Sequence, residues 1–286
     1  MRHETALGLD ALRGRPAKVA RFLVYTILVL IFAGPLLALL VSAFAPAQDP
    51  TSLTLIPRSF TLANFRAALR RDVLHYLLNS FVVVGFGLLL QIAVSVSAAY
   101  ALARKRFPGL RLVFLLILST MMLPEEILAI PLSLVLADVP LVHVNLIGTL
   151  AGMIVPVGAW AFSILVMTEF MRDIPVELEE AARLDGAGDL RIFWSVVLPL
   201  CRPALGVIGI FGFTMIWDQY MLPLLVAQDS AHFTLPLALR TLRSDEQVGI
   251  GVLLAASLLA LLPSVIAFVA MQRQFMRGLT SGAVKG

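Results

Sequence analysis

Six stretches of this chain are each apolar over about the length that a helix needs to cross a bilayer, ~20 residues. They fall at about 22–44, 75–103, 112–136, 147–171, 204–227 and 248–271. No water reaches the hydrocarbon core to satisfy backbone N–H and C=O groups, so apolar segments of this length are confined to helices. The pattern predicts an all-α, polytopic membrane protein: a segment 1–21, a six-helix transmembrane domain 22–271 with a charged loop at 172–202, and a tail 272–286. Composition agrees, since 14% of the 286 residues are charged, against about 25% in soluble domains. The first stretch follows basic residues as a signal-peptide core would. Its 23 residues exceed the roughly 7–15 of such a core, and Ala45-Pro46-Ala47 makes a poor cleavage site, so it reads as a retained helix.

Orientation follows from Lys and Arg. Sixteen of the 22 lie in the N-terminal segment, the 104–111 turn, the 172–202 loop and the tail, and six lie in the intervening loops. The positive-inside rule therefore puts both termini and the 172–202 loop in the cytoplasm. The net charge of +4 reflects this topology and does not point to nucleic acid. Outside lie 46–74, where Pro50 and Pro57 mark an extended run before a short amphipathic helix at 61–69, then a turn at 138–145, then 228–247.

The 172–202 loop carries the densest pattern. Pro175 can open a helix because its missing N–H is not needed in the first turn, and Glu177, Glu179 and Glu180 suit the positive end. Gly186 can stop it in the left-handed conformation, and Asp189 can cap a second short helix through 193–198. Ile174, Leu178 and Ala181, with Ala182 beside them, make one narrow apolar face that another surface can approach closely. From 172 to 191 the net charge is −3, which invites a basic partner or is simply solvated surface.

Two other places are expensive in lipid. Glu125 and Glu126 sit midway along the third stretch, between Pro124 and Pro131, where an acid costs about 2.5–3.5 kcal/mol on insertion scales. Neither is expected to face lipid; they either line a solute route or are held by hydrogen bonds to neighbouring helices. The fifth stretch ends in Trp217-Asp218-Gln219-Tyr220. A ring for C–H faces beside amide and carboxylate groups for hydroxyls suits a sugar, while interfacial anchoring is the competing use of Trp and Tyr. Small residues, Ser95, Ser97, Ala98 and Ala99 in the second stretch and Gly206, Gly209 and Gly212 in the fifth, mark helix contacts. No phosphate-loop, zinc-protease or nucleophile-elbow motif is present, so no catalytic residue, ATP site or metal site is assigned to this chain. Cys201 is the sole cysteine.

The run Glu180-Ala181-Ala182, Asp185-Gly186-Ala187, Phe193, Leu198-Pro199-Leu200 and Pro203 resembles the EAA signature of permease subunits of binding-protein-dependent ABC importers. It is most similar to the carbohydrate-uptake family that includes the maltose transporter's shorter permease. The resemblance implies a type I ABC importer permease fold in a bacterial inner membrane and a non-catalytic subunit. Its partners would be a homologous second permease, two ATPase subunits that bind ATP and Mg, and a periplasmic or lipid-anchored solute-binding protein. Glu180 would pair with a basic group in an ATPase cleft, Ala181 and Ala182 would let the helix seat, and Gly186 would permit the turn, with Leu178 and Asp185 on the same coupling surface. Glu126, after a Met-x-x-Pro run, and Trp217 with Asp218 match positions near the translocation path of similar permeases; Glu125 and Gln219 join them as candidate lining. The tail would reach the ATPases. Sugar is the implied cargo, with glycerol phosphate or another polyol as an alternative. From the residues alone, an ion-coupled carrier using Glu125 and Glu126 as proton sites is the competing account.

Overall fold

The structure is a computed structural model that describes residues 15–46, 57, 59–245 and 247–283. The expected extended run through Pro50 and the segment 1–14 lie outside the described residues. The described chain is helical except for turns and one antiparallel bridge between Val139 and Val144. It divides into two units, Met1–Arg71 with Asp245–Leu258, and Asp72–Ser244 with Leu259–Gly286.

The first unit holds α1 (Arg15–Ala43) and α2 (Ala63–Leu69). The short helix expected at 61–69 is α2, and its anchor is Asn64. That buried amide donates to Ala43 O at 3.0 Å and Ala45 O at 2.8 Å, closing the end of α1 with a side chain. Phe44 and Phe65 pack with ring centroids 4.7 Å apart, and Arg71 pairs with Asp245 at 2.6 Å.

The second unit is organised by α3 (Val73–Arg104), an unbroken helix of 32 residues. The chain then runs α4 (Leu110–Thr120), α5 (Glu125–Ala137), α6 (Ala151–Val157), α7 (Ala161–Arg172), α8 (Val176–Leu184) and α9 (Asp189–Ile192), followed by a π-turn over Phe193–Val197. After it come α10 (Leu198–Leu200), α11 (Arg202–Trp217), α12 (Met221–Val226) and α13 (Leu235–Ser244); α14 (Ile250–Ala283) closes the chain, its residues up to Leu258 belonging to the first unit. α3 packs against α6, α7, α11 and α13. The small residues are used where close approach is needed: Ser95 and Ser163 share a hydrogen bond of 2.6 Å between α3 and α7, and Ala99 is fully buried. A Cβ on Gly212 would stand 2.2 Å from Gln91 Oε1 and 2.8 Å from a Leu88 methyl, so glycine leaves room for those two α3 side chains against α11. Two clusters form the interior, one around Met167, Met171, Ile192, Val197 and Ile208, the other around Val83, Met153, Val157, Ile216, Trp217 and Val226.

Several expectations are corrected. The third stretch is not one helix: α4 and α5 meet at 110°. Pro124 has no N–H, and it disfavours helical geometry in Leu123. The last turn of α4 tightens accordingly, with Met121, Met122 and Leu123 N–H bonding three residues back. Glu125 and Glu126 therefore open a new helix instead of sitting midway along a span. The fifth stretch does not run to 227, because α11 stops at Trp217 and a break precedes α12. At its other end the Asp189–Leu200 segment bends by 71° into α11, where Pro203 sits in the first turn. The tail that begins at 272 continues α14 as helix to Ala283. Four helices are long and apolar enough to cross a membrane, and counting each bent pair as one span raises the number to six.

Candidate functional site

Two places gather the singled-out residues. The first is the bracket formed by α8, its turn and α9. Pro175 takes the N-cap position with extended ψ of 130°, and α8 starts at Val176. At the other end Gly186 has φ of +82°, which an L side chain adopts only at a cost. Gly186 N–H donates to Arg183 O and Ala187 N–H to Ala182 O, at 3.0 and 2.9 Å, the paired bonds of a Schellman stop. Asp189 does not cap the next helix. Gly188 holds that position with no side-chain cap bond, and the Asp189 carboxylate is taken by Lys105 and Arg183.

The bracket is held by its inner face. Glu179 is 3% exposed and lies 2.7 Å from Arg104 Nε at the end of α3. The N–H does not point along that line, so this is a charge contact more than an aligned hydrogen bond. Arg104 Nη2 donates to Ile174 O at 2.7 Å, the carbonyl just before Pro175. Around this pair stand Arg183, 3.5 Å from Asp189, and Lys105 above the Tyr100 ring at 5.5 Å. Lys105 lowers the Asp189 carboxyl below its usual range, and Asp189 raises the Lys105 ammonium in return. Ala182 and Ala187 pack on the interior beside Phe193.

The outer face carries the rest of the signature. Glu180, Ala181 and Asp185 are exposed, Leu178 is 46% exposed and Leu184 is 90% exposed. The expected single apolar face is therefore split, with Ile174 buried in the body while Leu178 and Ala181 face out. The sequence reading missed Glu179 as an anchor, since nothing distinguishes it from its two neighbouring acids, Glu177 and Glu180. It also missed Leu184, whose exposure the amphipathic pattern does not single out.

The second place is a cavity of about 370 Å3 where the α4–α5 break meets the α6–α7 joint and the end of α11. Thr120, Met121, Leu123 and Glu125 line one side, Trp160 and Phe162 another, and Met215, Gln219 and Leu222 a third. Gln219 Nε2 donates to Glu125 Oε1 at 2.6 Å. Because a carboxylate only accepts, the amide nitrogen must face it, and Gln219 Oε1 is left buried with no partner. The Trp160 and Phe162 rings stand 4.8 Å apart.

The five candidate lining residues separate here. Glu125 and Gln219 are on the cavity wall. Glu126 and Asp218 are exposed but not among the residues lining it. Trp217 is 3% exposed, stacks on Phe213 with centroids 5.5 Å apart, and donates its indole N–H to Ala260 O at 3.2 Å; it supports the wall from behind. Among the described residues no three His, Cys, Asp or Glu side chains gather as a metal site.

The model of the family "Binding-protein-dependent transport system inner membrane component" matches residues 91–279. The chain is 34% identical over 254 residues to the melibiose/raffinose/stachyose import permease protein MelC of Bacillus subtilis, covering 88% of this chain and 91% of that protein. It is 37% identical over 205 residues to the sn-glycerol-3-phosphate transport system permease protein UgpE of Yersinia pestis, covering 71% of each. Among solved structures, a chain of a bacterial ABC transporter involved in the import of the acidic polysaccharide alginate superposes with a TM-score of 0.79 at 22% identity, over 92% of this chain and 98% of that one.

Proposed function

This chain belongs to the family of binding-protein-dependent transport system inner membrane components, and we propose from that premise that it is one of two homologous permease subunits of a type I ABC importer for a sugar or polyol. In this reading six spans cross a bacterial inner membrane with both termini in the cytoplasm. Two ATPase subunits bind ATP and Mg and close on each other, and a periplasmic or lipid-anchored binding protein delivers the cargo. The relatives named for melibiose, raffinose and stachyose and for glycerol 3-phosphate set the range of cargo considered.

The observation that carries the proposal is the two-faced bracket. Its inner face is clamped to α3 by the buried Glu179–Arg104 pair, while Glu180, Ala181, Asp185 and Leu184 are left outside. A push on the outer face thus has a stiff route into α3, the helix that organises the second unit. Closure of the ATPases would tilt that unit as a rigid body and switch access to the cavity from one side of the membrane to the other. Leu184 and Ala181 would fill the ATPase cleft, and Glu180 would meet a basic group there. The ion-coupled alternative gains no support from the site, because Glu125 is bound by a neutral amide and Glu126 is not among the cavity-lining residues.

The test is Glu180→Arg in the complete complex. Cargo-stimulated ATP hydrolysis and uptake should both fall at least about tenfold, the penalty of placing two like charges in one contact, while the chain remains inserted. Normal coupled hydrolysis in that variant would overturn the coupling role of the bracket.

A further inference from the structure

The importer reading leaves neutral and anionic cargo equally open, and the cavity chemistry separates them. Among the described residues on its wall Glu125 is the only ionisable one, and none is Lys, Arg or His. The charged group on the wall is the Glu125 carboxylate, steadied by the Gln219 amide N–H at 2.6 Å. A carboxylate accepts from the O–H donors of a polyhydroxylated solute. A phosphate dianion or a carboxylate group brings a like charge to a wall whose described residues include no cation, and is repelled by Glu125. The rest of the wall is largely apolar and aromatic, and the Trp160 and Phe162 rings that line it, 4.8 Å apart, suit the C–H faces of a sugar. The volume of about 370 Å3 falls within the roughly 300–1,000 Å3 of small-molecule sites.

We propose that Glu125, oriented by Gln219, is a charge filter: it admits uncharged polyhydroxylated solutes and turns back phosphorylated or carboxylated ones. The proposal rests on the importer reading for its cargo, but the field of Glu125 can be measured without transport. Cys201, the sole cysteine of this chain, is fully buried, so with cysteine-free partner subunits a thiol introduced at cavity-lining Leu128 is the one the reagents can reach.

In the complete complex, Leu128→Cys is treated with cationic trimethylammonium-ethyl methanethiosulfonate and, separately, with anionic sulfonatoethyl methanethiosulfonate. Relative to a free thiol in the same buffer, the cation should be favoured over the anion by about tenfold or more, as expected for a cleft lined by one sign of charge. Adding Glu125→Gln should return the ratio to within about threefold of the free thiol, since the charge is gone while the shape is kept. An unchanged ratio in the double variant overturns the filter. So does failure of both reagents at Leu128→Cys and again at Thr120→Cys, because then solutes do not reach the space. A second arm reads cargo: raffinose uptake should resist competition by glycerol 3-phosphate in the unaltered complex. If the thiol ratio holds while Glu180→Arg leaves coupling intact, the coupling reading fails and the filter stands.

Discussion

Glu179 and Glu125 are the same side chain put to opposite uses. Glu179, in the bracket, is 4% exposed along its side chain and sits 2.7 Å from an arginine that is 8% exposed. Glu125, at the helix break, is exposed to a cavity and held by a neutral amide at 2.6 Å. A buried carboxylate paired with a cation has little field left over, and its worth is geometric, since neither partner can move without stranding the other. A carboxylate steadied by a neutral amide has no countercharge beside it to offset its field. One acid therefore builds the molecule and the other is available to act on a solute.

The sharpest way to break this contrast is to remove each acid in turn. Glu179→Ala leaves Arg104 buried and unpaired and should lower stability by about 3–5 kcal/mol, read as thermal unfolding of the purified complex. Exchanging the charges, Arg104→Glu with Glu179→Arg, should recover part of that loss. Gly186→Ala forces a side chain into a left-handed turn with open space around it, so only the backbone term applies, about 1–2 kcal/mol. Glu125→Gln should change stability by less than about 1 kcal/mol, because the position is exposed and the substitution keeps its shape. A loss as large as that of Glu179→Ala would erase the distinction between the two sites.

The smallest effect concerns pH. Asp189 is held below the ordinary carboxylate range by the Lys105 hydrogen bond, and Lys105 is raised by the same contact. The stabilisation from Asp189 is present above the ordinary carboxylate pKa and is lost as pH falls through its lowered value. That from Lys105 is present below the ordinary ammonium pKa and is lost as pH rises through its raised value. The bracket should therefore show flat hydrogen exchange between these limits and loosen slightly beyond them. Lys105→Met should remove the alkaline edge and shrink the acid one to what Arg183 sustains, and an alkaline edge that persists would assign it to another group.

Local chemistry made much of the bracket readable in advance. Pro175, the acids that follow it and Gly186 each act within one helical turn, and a turn is what a sequence window contains; the helix and its stop lie where those residues put them. The same is true of α3, an uninterrupted apolar run that became an uninterrupted helix. Asp189 shows the limit of that reasoning. A good capping residue next to a helix start was drawn away by Lys105, a partner 84 positions distant in the chain.

The amino-acid sequence alone determined that this chain is helical, that it is built for a membrane, and that an acidic elbow with the EAA pattern interrupts its apolar segments. Apolar length and turn chemistry are properties of neighbouring residues, and they do not depend on where the rest of the chain goes. Only the tertiary structure decided that Glu179 meets Arg104, that the third stretch breaks to place Glu125 on a cavity, and that Trp217 lies behind the wall while Gln219 lies on it. In a helix bound for lipid both faces are apolar, so periodicity carries little information about which side turns inward, and packing between helices has to settle it.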